Sequence, residues 1–588
     1  MTKGKIYSII SNLLRIEVDG PVVQNEICYV LRESGKLMAE VIKVDGHVYA
    51  QLFESSTELG IGDTVEFTGR MLEATLGPGI LSRNYDGLQN DLEKMPGLFI
   101  QAGETTLPLD VEASYPFRPL VKVGDILHAG DWLGEVDEGF LPHRIMLPFT
   151  FKGAHEIIAL ADEGDRHIKE SVARVRDEKG EEHEVFMYQK WPVKRAISAF
   201  SEKNSPSRIF HTGLRVMDSL TPLAEGGTGF VPGAFGTGKT VLQQAIAKNN
   251  EADVVILVAC GERANEVVEI FTEFPQLEDL RTGRKLKEKT TIVCNTSNMP
   301  VAARETSVYL GMTLAEYYRC MGHRVLLLAD STSRWAQALR EMSNRMEEMP
   351  GTDAFPVELP ATIAQFYSRA GEVVLNNGQL GSVTFLGTVS PAGGNFKEPV
   401  TESTGKVARA FYALSQKRAD SKRYPAVDPL LSYSRYTDYP DFRQRTDKEV
   451  ESGWTKLTAT AKSIIQQGIE AREQISILGD DGVPIEYHLN FWRSELLDFG
   501  FVQQDSFDKE DMNTPMKRQV FMLKKLLHTC HTHFQFDEHT EVATFFKKLI
   551  NAFRQMNYVA FESEAFKKFE RTYDELVENQ IKHQGSLV

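Results

Sequence analysis

Eight residues near the middle of the chain, Gly233-Ala-Phe-Gly236-Thr-Gly238-Lys239-Thr240, fit the pattern G-x-x-x-x-G-K-[ST], which needs a strand before it and a helix behind it. Each position has a physical reason. The glycines let backbone N–H groups turn inward around phosphate oxygens where no side chain fits. The following helix aims its positive end at the same anion. Lys239 is placed to neutralise the β- and γ-phosphates, and Thr240 to ligate Mg²⁺ through its hydroxyl. The flanks agree, because Gly229-Phe-Val-Pro232 precedes the loop and Val241–Lys248 has helical character. Val254–Cys260 and Val325–Ala329 are unbroken apolar runs of strand length, the pattern of parallel strands covered on both faces. Residues 188–438 therefore read as an α/β nucleotide-binding core.

Hydrolysis at such a loop needs acids. Arg324-Val-Leu-Leu-Leu-Ala-Asp330 delivers a carboxylate at the end of an apolar strand, where ligands bind in open α/β sheets. Asp330 would serve the metal's outer shell, although strand-end Asp is also an ordinary turn former. Glu262 stands just past the other strand and is placed to orient a water toward the γ-phosphate. The competing reading is a helix-start Glu that interacts with the macrodipole. Glu266 lies one turn further on and competes less well. Arg263, Arg304 and Arg334 are candidates for charge neutralisation or for interface ion pairs, and sequence does not rank them.

The core is embedded in a larger chain. At 588 residues the protein exceeds what one hydrophobic core supports. Residues 1–69 alternate on a two-residue period between Gly- and Asp-containing turns, as in a small β-barrel or sandwich, and 70–109 connect to the core. Residues 110–187 form a second β-rich unit whose phrases Val123-Gly-Asp-Ile-Leu127 and Ala129-Gly-Asp-Trp-Leu133 resemble a biotinyl/lipoyl-type barrel. The lysine such a carrier would modify is missing from Arg144-Ile-Met146-Leu-Pro, so the insert reads as structural. From 439 to 588 apolar residues recur at helical spacing. His528, Cys530, His531 and His533 match no common zinc frame.

Lys and Arg number 66 against 82 Asp and Glu, a net charge of −16 that argues against a broad nucleic-acid surface. No run approaches the ~20 apolar residues of a membrane span. The start lacks a signal-peptide cleavage site. Five scattered cysteines suit a reducing cytosol, so a cytoplasmic protein is expected.

Taken together, the phrases Leu76-Gly-Pro-Gly79-Ile, Gln189-Lys-Trp-Pro192, Gly233–Thr240, Gly261-Glu-Arg263, Ala329-Asp-Ser-Thr-Ser-Arg-Trp-Ala336, Glu347-Glu-Met-Pro-Gly351 and Ser390-Pro-Ala-Gly-Gly394 resemble the catalytic A subunit of rotary V-type and A-type ATPases, in wording closest to the bacterial versions. The resemblance implies a P-loop (RecA-like) core with an N-terminal β-barrel, an inserted bulge at 110–187 and a C-terminal helical domain. It implies ATP/ADP and Mg²⁺ as ligands. Three A subunits would alternate with three B subunits, and the B subunit would donate an arginine finger. Central shaft and peripheral stalk subunits would connect the head to a membrane ring that moves protons or sodium, so the chain would work peripheral to a membrane. By the same resemblance Lys239, Thr240, Glu262 and Asp330 take the roles argued above, Arg263 joins the catalytic set, and Tyr424 and Phe507 belong to the adenine pocket. For those two, ordinary core aromatics are the competing reading.

The chain departs from the family pattern in the loop itself, where Ala234 replaces a proline and Thr237 a smaller residue. Losing the fixed φ of proline loosens the empty loop and deletes no phosphate donor. A non-catalytic subunit of the same ring is disfavoured by intact Lys239, Thr240 and Glu262. A secretion-system ATPase or an RNA translocase is disfavoured by the 110–187 insert, and the translocase also by the acidic charge.

Overall fold

The computed structural model describes residues 2–32, 35–57, 59–94, 106–234, 236–297 and 299–585. They form two compact units: Met1–Ser205 with Ala252–Pro391 and Asn395–Val407, and Pro206–Glu251 with Ala392–Gly394 and Ala408–Val588.

The first unit begins with a closed six-stranded barrel in the spatial order Lys3–Ile10, Leu13–Val18, His47–Leu52, Gly35–Asp45, Glu26–Arg32, Thr64–Met71. Its two-residue alternation turns Ile16, Val30, Leu37, Val41, Val65 and Phe67 inward to fill the interior. The insert folds as two four-stranded sheets, one carrying Trp132–Asp137 and the other Ser171–Asp177. Trp132 Nε1 donates to the Cys320 carbonyl at 3.0 Å. Buried His143 bridges Glu138 and the Tyr317 hydroxyl, each at 2.8 Å. The insert is thus tied by polar contacts to the helix Val301–Arg319 and the residue just past its end.

That helix packs on a parallel sheet in the order Leu380–Val389, Arg324–Asp330, Val254–Glu262, Thr290–Thr296 and Asn84–Tyr85. The strands Val254–Glu262 and Arg324–Asp330 are almost wholly buried, as their unbroken apolar runs predict. Helix and sheet approach closely at Gly311, where an added Cβ would come within 2.2 Å of the Val258 side chain.

A buried charge triad links the barrel to this core. Lys194 Nζ lies 3.0 Å from Glu40 on barrel strand Gly35–Asp45 and 3.1 Å from Glu305 on the helix. One ammonium cannot neutralise two carboxylates. Burial, aided by the Glu305 charge and opposed by Lys194, raises the Glu40 carboxyl from the ordinary 4.5 to about 7. Its folded-state proton affinity exceeds the unfolded one, so the associated stability is complete below pH 4.5 and is lost as pH rises through 7. At about 1.4 kcal/mol per pH unit the loss comes to about 3 kcal/mol. Calorimetry should show the wild-type first unit weakening between pH 5 and 8, and Glu40→Gln removing most of that slope.

The second unit contains the strand Thr228–Pro232, which pairs in parallel with Ala410–Phe411, itself antiparallel to Tyr433–Ser434. Behind the strand runs the helix Lys239–Asn249. Beyond residue 440 the described chain is helical, with Trp454–Leu478 and Ile485–Leu497 making the most extensive helix pair. Among the described residues no helix is long and apolar enough to cross a membrane.

Candidate active site

In the second unit the loop leaves the strand Thr228–Pro232 and enters the helix Lys239–Asn249, the placement its pattern requires. Gly236 and Gly238 have φ of +81° and +87°, a left-handed backbone that disfavours any other residue. An added Cβ at Gly233 would meet Thr237 Oγ1 at 2.6 Å and Leu414 Cβ at 2.8 Å. Lys239 Nζ donates to the Gly233 carbonyl at 2.7 Å and to the Ala234 carbonyl at 3.3 Å, so its ammonium already sits over the loop. Thr240, in the first turn of the helix, is exposed. Phe235 lies outside the described residues.

The two departures from the family pattern touch one another. The buried Thr237 hydroxyl donates to the Ala234 carbonyl at 2.8 Å. The threonine fastens the turn whose proline is gone, which offsets part of the loosening expected from Ala234.

The loop opens on a cavity of about 470 Å³ within the same unit. Gly236 and Gly238 form its floor, and Tyr424, Phe499, Gln503 and Phe507 stand in its wall. Tyr424 is 43% exposed and Phe507 87%, so neither is a core aromatic. The Tyr424 ring lies 3.7 Å from where a Gly238 Cβ would be. Aromatic faces beside a glycine loop offer what a purine base with a phosphate tail needs. Phe499 and Gln503 escaped sequence reasoning. Gln503 opens the phrase Gln503-Gln-Asp-Ser-Phe507, but nothing in its spacing marks a wall residue.

In the first unit the carboxyl ends of adjacent parallel strands bring two acids together. The register pairs Ala259 with Asp330, and the strand Val254–Glu262 runs on to its last residue. Asp330 is buried and its Oδ1 accepts the Thr388 hydroxyl at 2.5 Å. Burial, then a hydrogen bond shared with Glu266 and the charge of Asp330, push the Glu262 carboxyl up to about 9, while Arg334 opposes them. Glu266 is held below the usual carboxylate range by that shared bond. The shared bond thus moves the two carboxyls in opposite directions, Glu262 up and Glu266 down.

The structure also separates the three arginines. Arg304 is buried and paired with Glu341 at 3.1 Å. Arg263 is exposed at the start of the helix Ala264–Thr272. Arg334 packs its stem within 3.1 Å of a Cβ position on Gly261, and its charge acts on Glu262 and Glu266 alike.

A phosphate-binding loop behind a strand, an aromatic-walled cavity and acids at parallel strand ends define a P-loop nucleotide-binding protein. Residues 213–434 match the ATP synthase alpha/beta family, nucleotide-binding domain; residues 106–194 match the ATPsynthase alpha/beta subunit barrel-sandwich domain; and residues 443–539 match the C-terminal domain of V and A type ATP synthase. The V-type ATP synthase alpha chain of Treponema denticola is 47% identical over 573 residues, 97% of this chain and 95% of the relative. That of Borreliella burgdorferi (strain ZS7) is 45% identical over 580 residues, 98% and 99% of the two chains. That of Protochlamydia amoebophila is 44% identical over 582 residues, 98% of each. The ATPase EscN of an enteropathogenic E. coli type III secretion system superimposes with a TM-score of 0.61 at 20% identity, covering 89% of this chain and all of EscN, which is a likeness of fold. The chain belongs to the V-type ATP synthase alpha chain family, the catalytic ATP-hydrolysing and ATP-synthesising subunits of rotary V-type ATPases. Membership implies a complex with other ATPase subunits.

Proposed function

We propose that Lys239, Thr240, Glu262 and Asp330 serve one Mg²⁺·ATP, and that its hydrolysis or synthesis is coupled to shaft rotation and to proton or sodium movement through a membrane ring. The observation that carries this reading is the loop itself, with an ammonium over its carbonyls and an aromatic-walled cavity at its mouth. Lys239 exchanges the loop carbonyls for β- and γ-phosphate oxygens. Loop amides and the helix end hold the remaining charge. The donor set suits Mg²⁺, since an exposed hydroxyl at Thr240 and a buried carboxylate at Asp330 are the hard oxygen ligands it takes directly or through water. When bound, the ion neutralises charge on the phosphates. Glu262 orients water and takes its proton, Arg263 adds cationic charge, and Tyr424 and Phe507 clasp the base.

In this reading the site is completed by a cation from an alternating B subunit, whose effect in comparable enzymes is about 10³–10⁵ in rate. The head then connects through central shaft and peripheral stalk subunits to the membrane. Copurification with the partner chain should yield a hexamer of two alternating chains that hydrolyses ATP, while the isolated chain binds ATP and turns it over slowly. Full-rate hydrolysis by the isolated chain would overturn the shared-site reading.

A further inference from the structure

The cavity wall is held from behind by an ion-pair knot. The Arg423 guanidinium grips Glu495 with two parallel bonds of 3.0 and 2.8 Å and also reaches Asp498. The other oxygen of Asp498 accepts from Arg418 at 2.8 Å, so one buried carboxylate is shared by two arginines. Both ends of the knot adjoin the cavity. Arg423 precedes Tyr424, and Asp498 precedes Phe499, whose ring carries the Arg423 guanidinium at 4.7 Å. The turn into Tyr424 is itself unusual. Lys422 has φ of +55°, a conformation that a non-glycine residue keeps only where its surroundings hold it. The surroundings here are the Arg423 N–H on the Arg418 carbonyl at 2.9 Å, the knot, and the Gln504 N–H on the Tyr424 carbonyl at 2.9 Å.

We propose that Arg423, clamped by Glu495 and Asp498, is a positioning residue that sets the Tyr424 and Phe499 walls for the nucleotide base, and that the helix Ile485–Leu497 thereby adjusts base affinity. The inference rests on the reading of the 470 Å³ cavity as the nucleotide site. Glu495 lies near the end of a 13-residue helix, about 20 Å long, whose other end borders the hairpin carrying exposed Ile477 and Leu478. The phosphate loop has bonds of its own, Lys239 and Thr237 on loop carbonyls.

The test uses two probes on the full-length chain with Mg²⁺: ATP, which needs the wall, and inorganic tripolyphosphate, which has no base. Glu495→Gln should weaken ATP about tenfold, the loss of part of one base–aromatic stack. Tripolyphosphate affinity should stay within about twofold of wild type. Arg423→Lys keeps the charge without the two-pronged grip and should fall between the two. In the assembled head the same variants should raise KM for ATP and leave kcat in place. Equal weakening of both probes, or of neither, overturns the positioning role. Wild-type protein that binds neither probe overturns the nucleotide-site reading itself.

Discussion

In the assembled head, Glu262→Gln should leave ATP bound and lower steady-state hydrolysis by about a thousandfold, within the usual contribution of a positioned proton acceptor. Glutamine preserves the size and hydrogen-bonding outline of the side chain, so nucleotide affinity and assembly should persist. What it lacks is a group that can take a proton from water. The surroundings of Glu262 sharpen the expectation. Burial, Glu266 and Asp330 push its carboxyl up to about 9, with Arg334 opposing. On the proposed reading the residue becomes a base when positive charge enters with the substrate or from a neighbouring chain, which would tie proton acceptance to a filled site. Glu262→Asp keeps the carboxyl but shortens the arm, and a misplacement of about 1 Å can cost about 10²-fold, so it should lie between wild type and Gln. Bound nucleotide and phosphate release, measured together, check both variants. Turnover by Glu262→Gln at the wild-type rate removes the assignment.

Residues that act through local chemistry could be read from the chain. Gly236 and Gly238 announce a left-handed turn, and the apolar runs ending at Glu262 and Asp330 announce parallel strands, because both signals are contiguous. Tyr424 and Phe507 came through family resemblance alone, since an exposed aromatic has no periodicity to mark it. Partners distant in sequence were illegible. Thr388 reaches Asp330 across 58 residues, Lys194 reaches Glu40 across 154, and Arg215 reaches Asp511 across 296. A charged residue in an acidic chain looks like a surface residue until the fold supplies its counter-charge. The rule that kept Arg263, Arg304 and Arg334 equivalent fails for the same reason. Burial and neighbours, which sequence does not carry, separate them.

Asp511→Ala should destabilise the second unit by about 3–5 kcal/mol, the cost of leaving a buried charge without its partner. Arg215 is fully buried. Its guanidinium donates to Asp511 at 2.5 Å, to Thr514 at 3.0 Å, to the Phe501 carbonyl at 2.7 Å, and also to the Gln503 carbonyl. The other Asp511 oxygen accepts the Asp505 N–H at 2.7 Å, and Asp505 in turn accepts the Phe507 N–H at 2.9 Å, so the same residue tethers the aromatic loop of the cavity proposed to take the nucleotide. Denaturant midpoints should fall accordingly, and amide exchange should quicken across 501–514. Pairing Asp511→Leu with Arg215→Met removes both charges and should recover part of the loss, although the carbonyls of Phe501 and Gln503 then lack their donor. ATP should bind more weakly in either variant, because the Phe507 loop has lost its tether. A single substitution costing no more than an ordinary surface change, about 0.5 kcal/mol, would show that Arg215 finds other compensation and that Asp511 does not hold this part of the fold together.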